Sequence, residues 1–302
     1  MRALVTGGGG FIGSHLVDRL LHDGHDVRVL DNFATGRREN LLDVYNDVEL
    51  VEGDIQSYER VHNAVRGCDL VTHLAALPSV PRSVQDPLTS NATNVTGTLN
   101  VLLAARDAEV ERVVYASSSS VYGANPELPK HEELSALPIS PYAVAKLAGE
   151  GYCRAFFDVF GPRQDPLSQY AAVIPRFITG LLAGTAPVIF GDGEQSRDFT
   201  YIENVVDGTT RALTTPGNGG KVFNVAAGHG VTLNDLVRQL LELIGGDIEA
   251  IYEPPRPGDV KHSKADVSRA EAALGYRPSV PIEEGLRKTL AWFEQSAVAS
   301  AG

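Results

Sequence analysis

Two short segments of the chain carry residue types and spacings that suit one kind of chemistry. Gly7, Gly10 and Gly13 follow a short apolar run, and glycines between a strand and a helix let bare backbone approach a pyrophosphate. Tyr142 and Lys146 stand four residues apart, so on a helix the phenol and the ammonium share one face. Each motif also occurs by chance. Their joint occurrence, in this order, predicts an enzyme that uses a nicotinamide cofactor.

Four consecutive serines, 117–120, follow an apolar run ahead of Tyr142. Four hydroxyls at a strand end usually form only a polar turn, but at the carboxyl edge of a nucleotide-binding sheet they can hydrogen-bond a reacting sugar hydroxyl. Tyr142 is then predicted to be the base. A free phenol, with a pKa of about 10, is a weak base at neutral pH, whereas Lys146 and a positive nicotinamide ring would favour the phenolate.

Asp31 indicates which nicotinamide cofactor is bound. It closes the second apolar run, where a carboxylate can accept both hydroxyls of the adenosine ribose, and this favours NAD over NADP. Without the glycines, a solvated aspartate at a strand end would be the better interpretation. With them, we expect the ribose contact.

The first half of the chain alternates apolar runs with helical patterns. Strands are predicted around 3–5, 27–31, 48–51, 70–74 and 113–116, with helices between them, the first over about 11–22. This series predicts an α/β protein with a Rossmann-type doubly wound parallel sheet and a ligand beyond the carboxyl ends of its strands. Residues 1–165, joined by about 200–225, are predicted to form the NAD-binding domain. Residues 166–302, richer in proline and glycine, are predicted to form mainly a smaller α/β substrate domain.

Composition excludes several classes of partner. The chain has 302 residues, of which 43% are hydrophobic, with a net charge of −12, so neither a nucleic acid nor an anionic membrane is an expected partner. We expect a cytoplasmic protein, because no basic leader, apolar signal core or membrane-spanning run is visible. Cys68 and Cys153 lack metal-ligand spacing, so we predict no metal site and reduced, buried thiols.

These motifs, with further segments along nearly the whole chain, resemble the extended short-chain dehydrogenase/reductase family, and within it the nucleotide-sugar 4-epimerases. The further segments are 31–36, 53–55, 73–76, 94–98, 159–166, 195–202 and 256–260. The resemblance implies NAD as cofactor, a UDP-sugar as substrate and a homodimer. It implies Ser118, Tyr142 and Lys146 as the catalytic set.

The resemblance also implies the binding residues. The implied cofactor contacts are Gly7, Gly10, Phe11, Ile12, Gly13, Asp31, Asn32, Phe33, Thr35, Gly36, Asp54, Ile55, Leu74, Ala75, Ala76, Asn94, Tyr142 and Lys146. The implied substrate contacts are Ser118, Ser119, Asp158, Val173, Phe190, Arg197, Tyr201, Arg256, Asp259 and Ser263. Isolated arginines more often form surface ion pairs. In an acidic chain that binds a diphosphate, however, Arg197 and Arg256 make better sense as its cations.

The serine cluster narrows the implied reaction. In similar sugar-nucleotide dehydratases, Asp and Glu occupy the positions of Ser119 and Ser120, and similar UDP-glucuronate decarboxylases carry Glu at the second. The implied reaction is therefore reversible oxidation at C4, with a 4-keto sugar that turns over and is reduced on its other face. The implied substrates are UDP-glucose and UDP-galactose. A UDP-glucuronate 4-epimerase and a non-catalytic NAD-binding regulatory protein of the same fold remain alternatives.

Three features of the sequence bear on substrate recognition. In the epimerases that this chain resembles, the position that matches Ser263 borders the C2 substituent of the sugar. The small side chain of Ser263 implies that N-acetylated UDP-sugars are also accepted. Between Phe156 and Phe157, about a dozen residues typical of the family, enough for a helix end and a strand, are missing. Either the sequence lacks a segment, or this protein rebuilds the substrate edge. Asp158 replaces the usual Asn.

Overall fold

The computed structural model describes residues 1–152, 159–160, 162–163, 173–218, 221–246, 248–255 and 261–300. The strands are β1 (Arg2–Thr6), β2 (Asp26–Asp31), β3 (Val48–Glu52), β4 (Leu70–His73), β5 (Arg112–Tyr115), β6 (Val159–Phe160), β7 (Val188–Phe190), β8 (Ser196–Arg197), β9 (Thr200–Tyr201), β10 (Val231–Thr232) and β11 (Ile251–Glu253). The helices are α1 (Phe11–His22), α2 (Tyr58–Val65), α3 (Val80–Gln85), α4 (Pro87–Asn91), α5 (Gly97–Asp107), α6 (Pro141–Tyr152), α7 (Val173–Leu182), α8 (Ile202–Thr214), α9 (Leu233–Ile244), α10 (Ser268–Leu274) and α11 (Ile282–Ser300).

The central sheet is parallel and has the order β3-β2-β1-β4-β5. Thr6 at the end of β1 is in register with Leu30 on one side and His73 on the other, so the carboxyl ends of three strands meet at one edge. Strand order reverses between β1 and β4, which is where such sheets bind ligands. The predicted fold class is confirmed.

Both faces of this sheet are covered, which explains its nearly continuous apolar strands. On one face, Leu4, Leu30 and Val71 pack with side chains of α2 and α5. On the other, Val5 and Leu16 share one large core with side chains from the second half of the chain. Full burial of each such side chain contributes about 1.5–3 kcal/mol.

Helix α1 shows why the predicted boundaries hold. Its buried side chains, Leu16, Val17 and Leu20, repeat at helical spacing and face the core. Gly10 precedes the helix in an extended conformation. Arg19 lies in the last turn, where a cation interacts favourably with the helix dipole. Its Nε is 2.8 Å from Asp23 Oδ2.

The second half contributes three short strand pairs and several helices. Strands β6 and β9 pair in parallel, β7 and β11 pair in parallel, and β8 and β10 pair antiparallel. Helix α8, which follows β9 directly, packs against α1 and β5. The division into domains, with 200–225 joined to the first, stays a prediction.

The predicted break between Phe156 and Phe157 lies outside the described residues. Within the described ranges, β5 pairs with β4 and has no strand partner on its other side. Among all the residues that the structure describes, no helix is long and apolar enough to span a membrane.

Candidate active site

The glycine turn leaves the amino end of α1 open. Gly7 has a φ of 74°, in the left-handed region, and its carbonyl accepts from the Gly10 N–H at 3.0 Å. A Cβ on Gly13 would lie 2.1 Å from the Gly7 oxygen. No side chain caps the helix at Gly10. The turn therefore presents backbone N–H groups of a twelve-residue helix to an anion, and it fits the pyrophosphate of a dinucleotide.

Asp31 joins the end of β2 to this turn. Its Oδ2 accepts from the Gly9 N–H at 2.9 Å and its Oδ1 from the Phe33 N–H at 2.7 Å. Burial raises the pKa of the carboxyl, and the backbone hydrogen bonds partly oppose that rise. Each carboxylate oxygen can accept more than one hydrogen bond, so Asp31 can hold the turn and still receive ribose hydroxyls.

The neighbouring loops bring most of the other predicted cofactor residues to the same edge. Asn32 donates to Asp54 across the ends of β2 and β3 at 2.9 Å. Ala75, just past β4, donates its N–H to Thr6 Oγ1 at 3.2 Å. The remaining members lie in the first turn of α1, in the loop after β2, or just past β3 and β4: Phe11, Ile12, Phe33, Thr35, Gly36, Ile55, Leu74 and Ala76.

Asn94 lies in a π-helical turn, Ala92–Thr96, between α4 and α5. Its side chain is fully buried, with Oδ1 accepting from the Leu77 N–H at 2.8 Å and Nδ2 donating to the Leu77 carbonyl at 3.2 Å. In the structure Asn94 therefore fixes the loop after β4, and its direct contact with the cofactor stays a prediction. Such π turns are frequent at functional sites.

The predicted base, Tyr142, lies in the first turn of α6 and is 9% exposed. Its N–H donates to Ser83 Oγ at 3.0 Å, which ties the start of α6 to α3. Burial raises the pKa of the phenol to about 12, while a hydrogen bond with Ser118 lowers it. Ser118 caps the 3-10 turn Ser119–Val121, with its Oγ bonded to the Ser120 N–H. The structure thus brings Ser118 and Tyr142 together.

Lys146 lies one turn further along α6 and is 3% exposed. Its Nζ donates to the Ala116 carbonyl at 2.9 Å and stands 4.7 Å from the ring centre of Tyr115. Burial lowers the pKa of the ammonium to about 7, and the negative charge of Glu150 opposes that shift. The cation is therefore held at the end of β5, between the serine turn and the sheet.

Beside Lys146 lies a buried histidine to which the sequence analysis gave no role of its own. His73 Nε2 is 3.0 Å from Thr98 Oγ1, and Nδ1 is 2.7 Å from Thr6 Oγ1. Thr98 donates its own proton to the Asn94 carbonyl, so Nε2 carries the hydrogen and Nδ1 accepts. Burial, and next the Lys146 charge, lower the pKa of His73 to about 3. The ring is a neutral part of the site.

Glu150 and its contact with Ser117 were also missed by the sequence analysis. Ser117 donates to Glu150 Oε1 at 2.6 Å, and both residues are buried. The signal was present, because Glu150 follows Lys146 at the helical spacing that places Lys146 after Tyr142.

The predicted substrate residues are partly described. Phe190 ends β7, and Arg197 lies in β8, where its Nη1 donates to the Ser196 carbonyl at 2.9 Å. Ser263, half-buried, donates its N–H to the same carbonyl at 3.0 Å. Asp158, Arg256 and Asp259 lie outside the described residues.

Three further members of the substrate set occupy different environments. Ser119 begins the 3-10 turn, and Val173 begins α7, partly buried against the large core. Tyr201 is 3% exposed within that core, with Lys288 Nζ 5.6 Å from its ring centre. Their contacts with a substrate stay predictions.

Asp198 fixes the loops around Arg197. Its side chain is fully buried and accepts from the N–H groups of Ala227, Gly228 and Ala265, all at 3.0–3.1 Å. The carboxylate thereby joins β8 to the segment that carries Ser263.

Comparison with known proteins identifies what this arrangement is similar to. The NAD dependent epimerase/dehydratase family matches residues 3–226. A UDP-glucose 4-epimerase from Mycolicibacterium smegmatis is 41% identical over 314 residues, covering 98% of this chain and 100% of that protein.

Solved structures agree with the sequence matches. A UDP-N-acetylglucosamine 4-epimerase from Methanobrevibacter ruminantium, in complex with UDP-N-acetylmuramic acid, has a TM-score of 0.93 at 40% identity and covers 98% of both chains. A UDP-glucose 4-epimerase from Thermus thermophilus, in complex with NAD, has a TM-score of 0.88 at 37% identity over 97% of this chain and 99% of that one. Other similar proteins include a UDP-glucuronic acid 4-epimerase and a UDP-glucuronic acid decarboxylase.

Proposed function

Because this chain belongs to the NAD dependent epimerase/dehydratase family, we propose that it reversibly inverts C4 of a UDP-hexose through a 4-keto sugar. The observation that supports the proposal is that Ser118, Tyr142 and Lys146 lie at the end of β5, on the same carboxyl edge of the parallel sheet as the glycine turn after β1. A base and a dinucleotide cradle at one edge suit removal of a proton and a hydride from a secondary alcohol.

The cofactor of this enzyme is NAD, and the residues present fit it. The backbone of the glycine turn would hold the pyrophosphate and Asp31 the adenosine ribose. When bound, NAD supplies reversible oxidation and reduction at the sugar carbon.

The protein's own residues would move and hold the proton. Tyr142 would take the proton of the sugar O4 hydroxyl, and Ser118 would orient that hydroxyl by a hydrogen bond. A buried phenol with a pKa near 12 is almost fully protonated at pH 7 and cannot accept a proton, so the ammonium of Lys146 is needed to favour its phenolate. When the ketone is reduced, Tyr142 would return the proton to the oxygen.

The serine turn supports epimerisation over elimination or decarboxylation. Ser119 and Ser120 lie in the 3-10 turn that Ser118 caps. Hydroxyls at these positions are poor acids and bases at neutral pH compared with the carboxyl groups that similar dehydratases carry there. The C4 ketone would therefore be reduced again and would not go on to elimination or decarboxylation.

We propose UDP-glucose and UDP-galactose as substrates, with the N-acetylated pair also accepted. Arg197 and Arg256 would bind the diphosphate, and Ser263 would leave room at the C2 substituent. A UDP-glucuronate 4-epimerase remains the alternative and would need a cation for the sugar carboxylate.

We also propose that the protein is a homodimer. Helices α3, α4 and α6 pack together and expose Val84, Leu88 and Val144 at 63%, 83% and 53%. Apolar side chains this exposed on adjacent helices favour an interface. Docking α6 against a partner would also brace the helix that carries Tyr142.

The proposal is tested by incubating the purified protein separately with UDP-glucose, UDP-N-acetylglucosamine and UDP-glucuronate, and separating the C4 epimers. We expect conversion of UDP-glucose and UDP-N-acetylglucosamine. The rate of conversion should fall by a factor of about 10²–10⁴ in Tyr142→Phe. Tyr45→Phe is the matched control, because Tyr45 is 53% exposed and belongs to none of the predicted sets of site residues. Full activity of Tyr142→Phe would exclude this residue as the base.

A further inference from the structure

A buried carboxylate in α6 takes no part in the chemistry proposed above. Glu150 is 8% exposed and lies one helical turn beyond Lys146, on the same face of α6. Its Oε1 accepts from Ser117 Oγ at 2.6 Å. A carboxylate is rarely buried without a partner, so its place beside a buried ammonium requires an account.

We propose that Glu150 is a positioning residue that keeps Lys146 in its ammonium form and, through Ser117, fastens α6 to the serine turn. The inference deepens the proposed function, since it rests on Lys146 acting as a cation there. It assigns Glu150 no contact with the substrate or the cofactor.

The surroundings of Lys146 show why an anion matters. Tyr115 of β5 presents its ring and His73 of β4 a neutral imidazole. On the side of α3 and α4, which pack against α6, the charged groups are Arg82 and Asp86. Both Arg82 and Asp86 are exposed to solvent, which screens their charges. Glu150 is the anion whose charge acts on Lys146.

The pKa of Lys146 lies close to neutral pH. Burial lowers the pKa of its ammonium to about 7 even with Glu150 present. Without that negative charge, burial would act unopposed, and most of the side chain would be uncharged at pH 7. Tyr142 would then lose the cation that favours its phenolate.

Ser117 gives the second half of the inference. It directly follows Ala116, whose carbonyl accepts from Lys146, and directly precedes Ser118. Its bond to Glu150 therefore links the catalytic helix to the strand end where the hydroxyl and the lysine are held.

The test is the titration of Lys146, followed by NMR in protein carrying labelled lysine. The chain has six lysines, and the signal missing from Lys146→Met identifies this residue. Glu150→Gln should lower the titration midpoint of Lys146 by about one pH unit or more. Ser117→Ala, which keeps the carboxylate, is the matched control and should move it much less. An unchanged midpoint in Glu150→Gln would overturn the inference, whether or not the protein epimerises any sugar.

A second readout separates this role from a merely structural one. If Lys146 loses its proton earlier, the loss of kcat in Glu150→Gln should grow with pH between 6 and 8 while KM changes little. Glu150→Asp, which keeps the charge, should restore most of the rate. A pH-independent loss in Glu150→Gln would contradict the proposal.

Should Glu150→Gln fail to fold, the coupling can be measured from the other side. Because two interacting sites shift each other equally, Lys146→Met should raise the titration midpoint of Glu150, followed by labelled glutamate. No shift there would also overturn the inference.

Discussion

At the scale of single residues, the site depends on how burial is balanced by partners. Burial raises the pKa of Tyr142 to about 12 and lowers that of Lys146 to about 7. Both shifts oppose the ionised pair that the reaction needs. Hydrogen bonding from Ser118, the charge of Glu150 and the bound cofactor therefore have to restore it.

Ser263 carries a prediction about substrate breadth. If it borders the C2 substituent, Ser263→Tyr should slow epimerisation of UDP-N-acetylglucosamine at least about tenfold more than that of UDP-glucose. Initial rates on both substrates measure this. Ser268→Tyr, at an exposed position on α10, is the control. Equal losses on both substrates would place Ser263 outside the sugar pocket.

His73 carries a prediction about pH and stability. Its pKa is about 3 in the folded protein and about 6.5 when unfolded. Below pH 6.5 the unfolded chain binds a proton that the folded chain does not. The free energy of unfolding should therefore decrease as the pH is lowered, by at most about 1.4 kcal/mol per pH unit.

The pH dependence of the wild-type protein is compared with that of His73→Gln, whose side chain at this position cannot titrate. Urea unfolding of both proteins between pH 7 and 4 should show a shallower dependence in the variant, although it starts less stable because two buried hydrogen bonds change. Parallel curves would mean that His73 does not resist protonation in the folded state.

At the scale of elements, the turn between β1 and α1 allows a direct prediction. A Cβ at Gly13 would overlap the Gly7 carbonyl, so Gly13→Ala should shift the turn and reduce the NAD retained on purification, measured after denaturation. Gly180→Ala in α7 is the control, since its Cβ would meet only ordinary contacts and alanine favours a helix. Normal NAD content in Gly13→Ala would show that the turn does not form the cradle.

The elements of the first half were largely predictable from the sequence. The five strands and α1 follow from apolar runs and glycine punctuation. The pattern could not reveal that Asn94 turns its amide to Leu77 or that His73 bonds two threonines. Such contacts join segments distant in sequence, and only tertiary packing brings them together.

The second half was less predictable for a related reason. Its strands are two or three residues long, too short for a recognisable alternation. Asp198 organises this region by accepting hydrogen bonds from three backbone N–H groups. An aspartate in the sequence does not indicate which backbone groups it will bind.

At the scale of the whole molecule, the exposed apolar side chains predict the oligomeric state. Leu88→Asp would place a charge in the proposed interface and should convert a dimer to a monomer, measured by light scattering on a sizing column. Leu42→Asp, at a position 65% exposed on the 3-10 turn Arg38–Val44, is the control and should stay dimeric. A wild-type monomer, or an unaffected Leu88→Asp dimer, would contradict the proposed interface.

The fold as a whole brings a dinucleotide cradle and a base to one edge of one sheet, and we propose that they serve reversible oxidation at C4. The most direct measurement uses UDP-glucose carrying deuterium at C4, with the product analysed by NMR and mass spectrometry. We expect UDP-galactose that keeps the deuterium at C4, because the deuterium returns to the sugar without exchanging with water. UDP-galactose with ordinary hydrogen at C4, or no C4 epimer from any UDP-hexose, would contradict it.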